Sequence, residues 1–219
     1  MTTMYRLVAF DLDGTVADTL ADLAASVNAA LSMSGLPGYP KDAYRHFVGN
    51  GVDNLIRTTL AGAYTPALAE RVKADFGAYY AAHTMDHTTA YPGVAELLAR
   101  LSADGVMTAV ISNKPDVYVP EIMRTLYPDH RFTYLSGQRE GVARKPAPDA
   151  LLALLDRLGA QKDEALYVGD SDVDVAFAHA AGVKVCGVSW GFRGADELIA
   201  AGADYIAYSI EELTGVIYE

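Results

Sequence analysis

The stretch from Tyr5 to Thr19, YRLVAFDLDGTVADT, decides the fold, because a short apolar run meets an acidic turn in it. The apolar run 5–10 is typical of a buried strand, and Asp13-Gly14 marks a turn just after it. Side chains alternate along an extended backbone, so Asp11 and Asp13 are expected to point the same way. The stretch therefore predicts a buried strand that delivers two carboxylates to one pocket.

Similar apolar runs recur along the chain and alternate with amphipathic stretches of helical spacing, several of which stop at a glycine. The predicted strands are Val106–Ile111, Phe132–Leu135, Ala165–Val168 and Val183–Val188, and the predicted helices are Val94–Leu101, Val117–Leu126, Ala150–Leu158 and Val173–Ala181. This alternation predicts an α/β fold, a Rossmann-like doubly wound parallel sheet. Ligands of such sheets sit beyond the carboxyl ends of the strands.

The region 18–86 breaks the alternation, because its periodic stretches are helical with no strand between them. These stretches are Leu20–Met33, Asp42–Phe47, Val52–Leu60 and Ala67–Tyr80. Tyr91-Pro92-Gly93 marks the return to a strand–helix unit. We predict an all-helical cap domain at 18–86, inserted into a core of 1–17 and 87–219, where it could act as a lid.

The composition limits the classes of partner. The formal net charge of -11 argues against nucleic acid and anionic membranes, which attract clustered Lys and Arg. The single cysteine excludes an internal disulfide, and the first apolar run is too short for a signal peptide. No stretch approaches the roughly 18 apolar residues of a membrane span. We expect a cytoplasmic protein, monomer or homodimer, whose substrate is a small molecule.

A second acidic group, Gly169-Asp170-Ser171-Asp172-Val173-Asp174, follows the predicted strand 165–168. Carboxylates about 4 Å apart repel each other by about 4 kcal/mol at an effective dielectric constant of ~20. Such a cluster needs a proton or a cation. Mg²⁺ prefers oxygen ligands, typically one or two carboxylates together with a substrate phosphate. The two acidic groups therefore predict a magnesium site.

The same residues favour phosphoryl transfer. Attack by an aspartate on phosphorus gives an aspartyl-phosphate, and Asp11 is placed to do this. Asp13 is the candidate general acid and base. Ser112-Asn113-Lys114, after the strand 106–111, and Lys145 offer donors and positive charge for phosphoryl oxygens. Four segments are therefore expected to converge on one site.

Together these residues resemble the four motifs of the haloacid dehalogenase-like hydrolase superfamily, in its phosphoglycolate phosphatase-like branch with a helical cap. The residues that carry the resemblance are Asp11, Asp13, Gly14, Thr15, Asp18 and Thr19, then Ser112, Asn113 and Lys114, then Lys145 and Pro146, then Gly169, Asp170, Ser171 and Asp174. The resemblance extends over nearly the whole chain. It implies a magnesium-dependent phosphatase that works through an aspartyl-phosphate.

The resemblance also implies a role for each motif residue. Asp11 attacks, Asp13 serves as acid and base, and Lys145 steadies Asp11 and the phosphate. The residues expected to bind the phosphoryl oxygens are Ser112, Asn113 and Thr15.

The implied metal ligands come from the same motifs. They are Asp11, the backbone carbonyl of Asp13, and Asp170. Asp174 either ligates the metal directly or holds the ligating residues in place, and the resemblance leaves both roles open.

Several alternatives remain at this stage. Asp13 argues against dehalogenation, because the dehalogenase branch lacks that aspartate. The loop Gly49-Asn50-Gly51-Val52 lacks the arginine expected of a sugar-phosphate mutase. Pyrophosphate, sugar phosphates and nucleotides stay open as substrates. A phospho-acceptor receiver module is the alternative of a different class, but it needs neither the helical insert nor Asp13.

The cap loop Gly49-Asn50-Gly51 is predicted to face the substrate, since glycines let backbone approach closely. Arg45 or Arg57 could bind a substrate carboxylate, and neither is preferred. Trp190 and Phe192 could wall the site or simply pack. Cys186 is expected in the core.

Overall fold

The computed structural model describes residues 5–218, so residues 1–4 and 219 of the predicted core lie outside the described part. Its strands are β1 Leu7–Phe10, β2 Ala17–Asp18, β3 Thr89–Ala90, β4 Met107–Pro115, β5 Tyr134–Gln138, β6 Ala165–Gly169, β7 Lys184–Val188 and β8 Tyr205–Ala207. Its α-helices are α1 Leu20–Met33, α2 Gly51–Leu60, α3 Pro66–Ala82, α4 Val94–Ala103, α5 Val119–Leu126, α6 Asp149–Leu158, α7 Asp172–Ala181, α8 Ala195–Ala201 and α9 Ile210–Tyr218. Short 3₁₀ helices occupy Lys41–His46, Ala61–Ala63 and Lys162–Glu164.

Six strands form one parallel sheet in the order β5-β4-β1-β6-β7-β8. β1 lies inside it, between β4 and β6. Val8 and Phe10 of β1 pack into one hydrophobic cluster, whereas Leu7 and Ala9 pack into another. Helices thus cover both faces, as a parallel sheet requires. The predicted doubly wound α/β core is confirmed.

The helices α1, α2 and α3 lie between β2 and β3 and share a hydrophobic cluster, to which Phe192 also contributes. We call residues 20–82 the helical segment. An α-helix predicted at Asp42–Phe47 is instead the 3₁₀ helix Lys41–His46. Pro40 precedes it, and the backbone N–H groups of Phe47 and Val48 both bond to the carbonyl of Tyr44, which ends it after two turns.

Two short strands join the helical segment to the sheet. β2 and β3 pair antiparallel, so the outgoing and returning chains lie side by side. Buried Asp22 of α1 reinforces this junction by accepting hydrogen bonds from the backbone N–H groups of His87 (3.0 Å) and Thr88 (2.8 Å). Two-residue strands carry no periodic pattern, so the sequence did not predict this pair.

The other differences lie at element boundaries. β5 begins at Tyr134, two residues after the predicted start, and β4 continues to Pro115. A register irregularity between Ile111 and Pro115 accompanies that extension. β8, α8 and α9 were not predicted, since they are short and follow the last motif. No helix of the described residues is long and apolar enough to cross a membrane.

Candidate active site

Neighbouring strand ends bring three polar side chains together. β1 lies between β4 and β6. Asp11 and Asp170 lie just beyond the carboxyl ends of β1 and β6, and Ser112 lies in the carboxyl-terminal half of β4. The backbone N–H of Asp11 donates to the carbonyl of Val168 (2.9 Å), which connects the end of β1 to the end of β6. All three side chains are buried.

Lys145 is the cation at the centre of this group. Its Nζ lies 2.9 Å from Oδ1 of Asp11 and 2.7 Å from Oδ1 of Asp174, and it donates to the hydroxyl of Tyr167 (2.9 Å). Burial opposes its charge, but the two carboxylates outweigh this and hold the pKa of Lys145 well above its usual value. The loop before α6 thus supplies a permanent cation beside Asp11.

The carboxylates outnumber that cation. Asp11, Asp170 and Asp174 can offer oxygen atoms that all lie within 4.8 Å of one another. Burial, helped by Asp174 and Asp13 and opposed by Lys145, raises the pKa of Asp11 to about 6. Burial and repulsion from Asp174 and Asp11 raise the pKa of Asp170 well above its usual value. An all-oxygen donor set with excess negative charge fits a hard divalent cation such as Mg²⁺.

Asp174 differs from the other two carboxylates because both of its oxygens are occupied. Oδ2 accepts from the backbone N–H groups of Asp170 and Ser171 (3.2 Å each) and from the Ser171 hydroxyl (2.7 Å), and Oδ1 accepts from Lys145. With Ser171 it forms the capping box of α7. Asp174 therefore fixes the loop that carries Asp170 and orients Lys145.

Asp13 is held by a hydroxyl and a second buried lysine. Its Oδ1 accepts from the Thr19 hydroxyl (2.6 Å) and from Nζ of Lys114 (2.9 Å). That Nζ also lies 4.8 Å from the ring centroid of Tyr80 in α3. Burial opposes the charge of Lys114, but Asp13 and Tyr80 raise its pKa above the usual value. Lys114 is therefore the ion-pair partner of Asp13, at the boundary between the sheet and the helical segment.

Asn113 links loops through its side chain. Its Nδ2 donates to the carbonyls of Gly49 and Lys145 (3.0 Å each), and its Oδ1 accepts from the backbone N–H of Lys145 (2.9 Å). The predicted phosphate-binding amide is thus engaged with the cap loop and the lysine loop. Among the described residues, the Ser112 hydroxyl accepts one longer bond, from the Lys114 backbone N–H (3.3 Å).

Thr15 lies in the turn that follows Asp13. Its hydroxyl is buried and finds no hydrogen-bond partner among the described residues. Gly14 makes the turn possible with φ +86°, and a Cβ there would lie 2.1 Å from Oδ2 of Asp170. The turn after β1 is therefore packed directly against the acidic loop after β6.

A pocket between the sheet and the helical segment contains the predicted nucleophile. Its floor is polar and its roof largely apolar. The floor residues are Asp11, Asp13, Ser112, Asn113, Lys114 and Pro115, and the roof residues are Leu23, Val48, Gly49, Gly51, Val52, Leu55, Phe76 and Tyr80. Gly49 and Gly51 of the predicted cap loop thus face the pocket.

The remaining cap candidates point elsewhere. The carbonyl of Asn50 accepts from Arg144 (3.0 Å), outside the pocket. Arg57 stacks over the ring of Tyr64, and Arg45 donates to the carbonyl of Gly191 (3.4 Å). Neither arginine is a pocket residue in the described structure.

Sequence reasoning missed two tyrosines at the site, for different reasons. Tyr167 lies inside β6, where an aromatic residue indicates packing, yet its hydroxyl bonds to Lys145 and donates to the carbonyl of Ile111 (2.9 Å). Tyr80 ends an amphipathic stretch of α3 and was assigned to packing of the insert. A buried tyrosine needs a hydrogen-bond partner, which was the available signal for Tyr167, but its partners Lys145 and Ile111 lie far away in the sequence. The contact of Tyr80 is instead that of its ring with Lys114.

The chain is similar to known proteins over nearly its whole length. A family model described as haloacid dehalogenase-like hydrolase matches residues 8–188. The phosphoglycolate phosphatase of Pasteurella multocida is 37% identical, over 87% of this chain and 88% of that protein. The phosphoglycolate phosphatase of Haemophilus influenzae is 33% identical, over 99% of this chain and all of that protein.

One solved structure extends the similarity to the whole fold. It is a crystal structure from Lactobacillus delbrueckii subsp. bulgaricus, provisionally described as a phosphoglycolate phosphatase. The two structures superpose with a TM-score of 0.93 at 32% identity, covering 98% of this chain and 99% of that one.

Proposed function

Because this chain belongs to the haloacid dehalogenase-like hydrolase family, we propose that it hydrolyses a small phosphate monoester, with phosphoglycolate as the first candidate. It is a phosphatase of the phosphoglycolate phosphatase-like branch. The observation that carries the mechanism is the buried contact, 2.9 Å long, between Lys145 and Asp11, which lines the floor of the pocket. A carboxylate held there by a cation can attack phosphorus.

Magnesium is the cofactor that the donor set favours. Asp11, Asp170 and the backbone carbonyl of Asp13 would hold it. Asp174 would hold these ligands in place without binding the metal, since its oxygens already accept hydrogen bonds from the α7 capping box and from Lys145. When bound, the ion would neutralise charge that develops on the phosphoryl oxygens.

The protein's own groups carry the two steps. Asp11 forms a bond to phosphorus as the bond to the departing alcohol breaks, and Asp13 protonates that alcohol. Asp13 then takes a proton from water, whose oxygen attacks phosphorus and releases Asp11 and inorganic phosphate. Lys145 stays beside Asp11 throughout, and the hydroxyls of Ser112 and Thr15 are assigned to the phosphoryl oxygens. Asn113 would join them by giving up a contact of its amide to the carbonyl of Gly49 or Lys145.

The helical segment has the place of a cap. The cap is predicted to extend over residues 18–86, and the hydrophobic cluster that α1, α2 and α3 share supports this prediction. Its apolar roof over Asp11 would exclude water during transfer. Cytoplasmic location and a monomeric or dimeric state remain predictions from the sequence.

The decisive experiment compares two aspartates of the site region. Purified wild type, Asp11→Asn and Asp172→Asn are assayed with phosphoglycolate and p-nitrophenyl phosphate, with Mg²⁺ and with a chelator. Asp172 is the matched control because it is exposed, although it lies in the second acidic group between Asp170 and Asp174. We expect Asp11→Asn to lower kcat by at least about 10³-fold, as removal of a nucleophile does, and Asp172→Asn to remain within about twofold.

Two results would overturn the proposal. One is wild-type hydrolysis that survives removal of all divalent metal, and the other is substantial activity in Asp11→Asn. A parallel assay with pyrophosphate and sugar phosphates ranks phosphoglycolate against the other substrates by kcat/KM.

A further inference from the structure

Residues Trp190–Arg193, which we call the 190–193 loop, connect β7 to α8 and contact both parts of the molecule. The backbone N–H of Phe192 donates to Oδ2 of Asp170 at 2.6 Å. A Cβ at Gly191 would lie 2.3 Å from Cβ of Asp170, so the loop packs tightly on that residue. The indole N–H of Trp190 donates to the carbonyl of Thr15 (3.1 Å), in the turn after β1.

The same loop is anchored in the helical segment. The ring of Phe192 is buried in the hydrophobic cluster of the helical segment, although the residue follows a sheet strand. A side chain of the sheet domain thus contributes to the interior of the other part. Displacing the helical segment would pull on the residue whose backbone N–H holds Asp170.

Two arginines cross the boundary in opposite directions. Arg193 of the loop donates to the carbonyls of His46 (3.4 Å) and Val48 (3.1 Å) in the helical segment. Arg45 of the helical segment donates to the carbonyl of Gly191 in the loop (3.4 Å). The reciprocal pair ties the chain before the cap loop to the peptide next to Phe192.

We propose that the 190–193 loop couples the position of the helical segment to the placement of Asp170, with Arg193 as the positioning residue. Arg193 touches neither the pocket floor nor a carboxylate of the acidic cluster, so it acts through the Phe192 backbone. Closure of the helical segment and alignment of Asp170 are then one event. The inference rests on the proposed function for its kinetic consequence, but its structural consequence is independent of any substrate.

Amide hydrogen exchange of the whole chain without ligand tests the structural consequence. We expect Arg193→Met to speed exchange in peptides covering residues 42–52 and residues 186–194, by about tenfold at the Phe192 amide, as loss of charged hydrogen bonds allows. Arg193→Lys should recover part of the protection, since an ammonium can donate to one carbonyl. Arg124→Met, an exposed change on α5 outside the boundary, should match the wild type.

Calorimetry and kinetics extend the test to the site. The Mg²⁺ dissociation constant should rise about fivefold or more in Arg193→Met. The factor by which kcat falls should be larger than the factor by which KM changes. Arg45→Met breaks the reciprocal contact from the other side and should shift exchange and Mg²⁺ binding in the same direction, even if Arg193→Met folds poorly.

Faster exchange confined to residues 42–52, with wild-type exchange at 186–194 and wild-type Mg²⁺ affinity, would overturn the coupling. That pattern would mean that Arg45 and Arg193 only attach the 190–193 loop to the helical segment and have no effect on Asp170. A wild type that hydrolyses no phosphate ester would instead refute the proposed function, and hydrogen exchange would still decide the coupling.

Discussion

Lys145 shows how one residue organises the charges of the site. It is 3% exposed and sits between Asp11 and Asp174, each within 2.9 Å or less of its Nζ. Buried carboxylates are costly without a partner. The lysine therefore keeps Asp11 in place.

Removing that cation should destabilise the fold. We expect Lys145→Met to lower the free energy of unfolding by about 3–5 kcal/mol, because two buried carboxylates lose their partner. Urea denaturation at neutral pH measures the loss. Saturating Mg²⁺ should restore part of the stability if the cation binds the same carboxylates.

The control for this change is Lys162→Met, which removes an exposed lysine. Its stability should stay within about 0.5 kcal/mol of wild type, as for most surface substitutions. Equal stability of Lys145→Met and wild type would contradict the buried ion-pair arrangement.

Among the elements, the turn after β1 is constrained at Gly14 by both backbone conformation and packing. Gly14 has φ +86°, in the left-handed region, and its Cα faces the carboxylate of Asp170. An added methyl group there meets both backbone strain and a side chain that cannot move without leaving the acidic cluster. Gly14 is thus the point at which the turn after β1 packs against the loop after β6.

We expect Gly14→Ala to lower activity by about 100-fold or more, because the methyl group displaces Asp170. Gly105→Ala is the matched control. Gly105 has a similar φ of +73°, but nothing lies within 4 Å of its would-be Cβ. Both variants carry the strain of a left-handed residue, about 1–2 kcal/mol, and only Gly14→Ala crowds the site.

Kinetic assays and thermal unfolding of the two variants separate these effects. Similar losses of stability with a loss of activity only in Gly14→Ala would support the packing seen here. Near wild-type activity in Gly14→Ala would show that Asp170 does not depend on this contact.

Across the whole molecule, a buried thiol and several buried phenols have raised pKa values, from which we expect a loss of stability at alkaline pH. Burial raises the pKa of the Cys186 thiol to about 12, and it raises the pKa values of Tyr44, Tyr91 and Tyr127 above their usual value. A group with a raised pKa in the folded state stabilises the fold fully below its unfolded pKa. That contribution is lost as the pH rises through the folded pKa.

The free energy of unfolding should therefore fall as the pH rises from about 9 towards 12, since the unfolded thiol and phenols begin to ionise first. Urea denaturation at several alkaline pH values measures this trend. Iodoacetamide should label Cys186, the only cysteine, slowly in the folded protein and rapidly in urea. Equal labelling rates, or stability that rises with pH in this range, would contradict the prediction.

The sequence by itself determined the fold class and the family. Apolar runs and helical periodicity are local signals, and a parallel sheet brings the carboxyl ends of its strands to one edge. For that reason Asp11, Ser112 and Asp170 could be assigned to one place before the structure was known. Their catalytic roles, and those of Asp13 and Lys145, remain predictions.

Only the tertiary structure decided which partner each polar group takes. Asn113 turned out to join two loops, Arg45 to face the 190–193 loop, and Tyr167 to hold Lys145. These contacts join residues 22–146 positions apart, and no local pattern encodes such distances. Hydrogen bonds depend on directions and separations of a few tenths of an ångström, which packing of the whole chain sets.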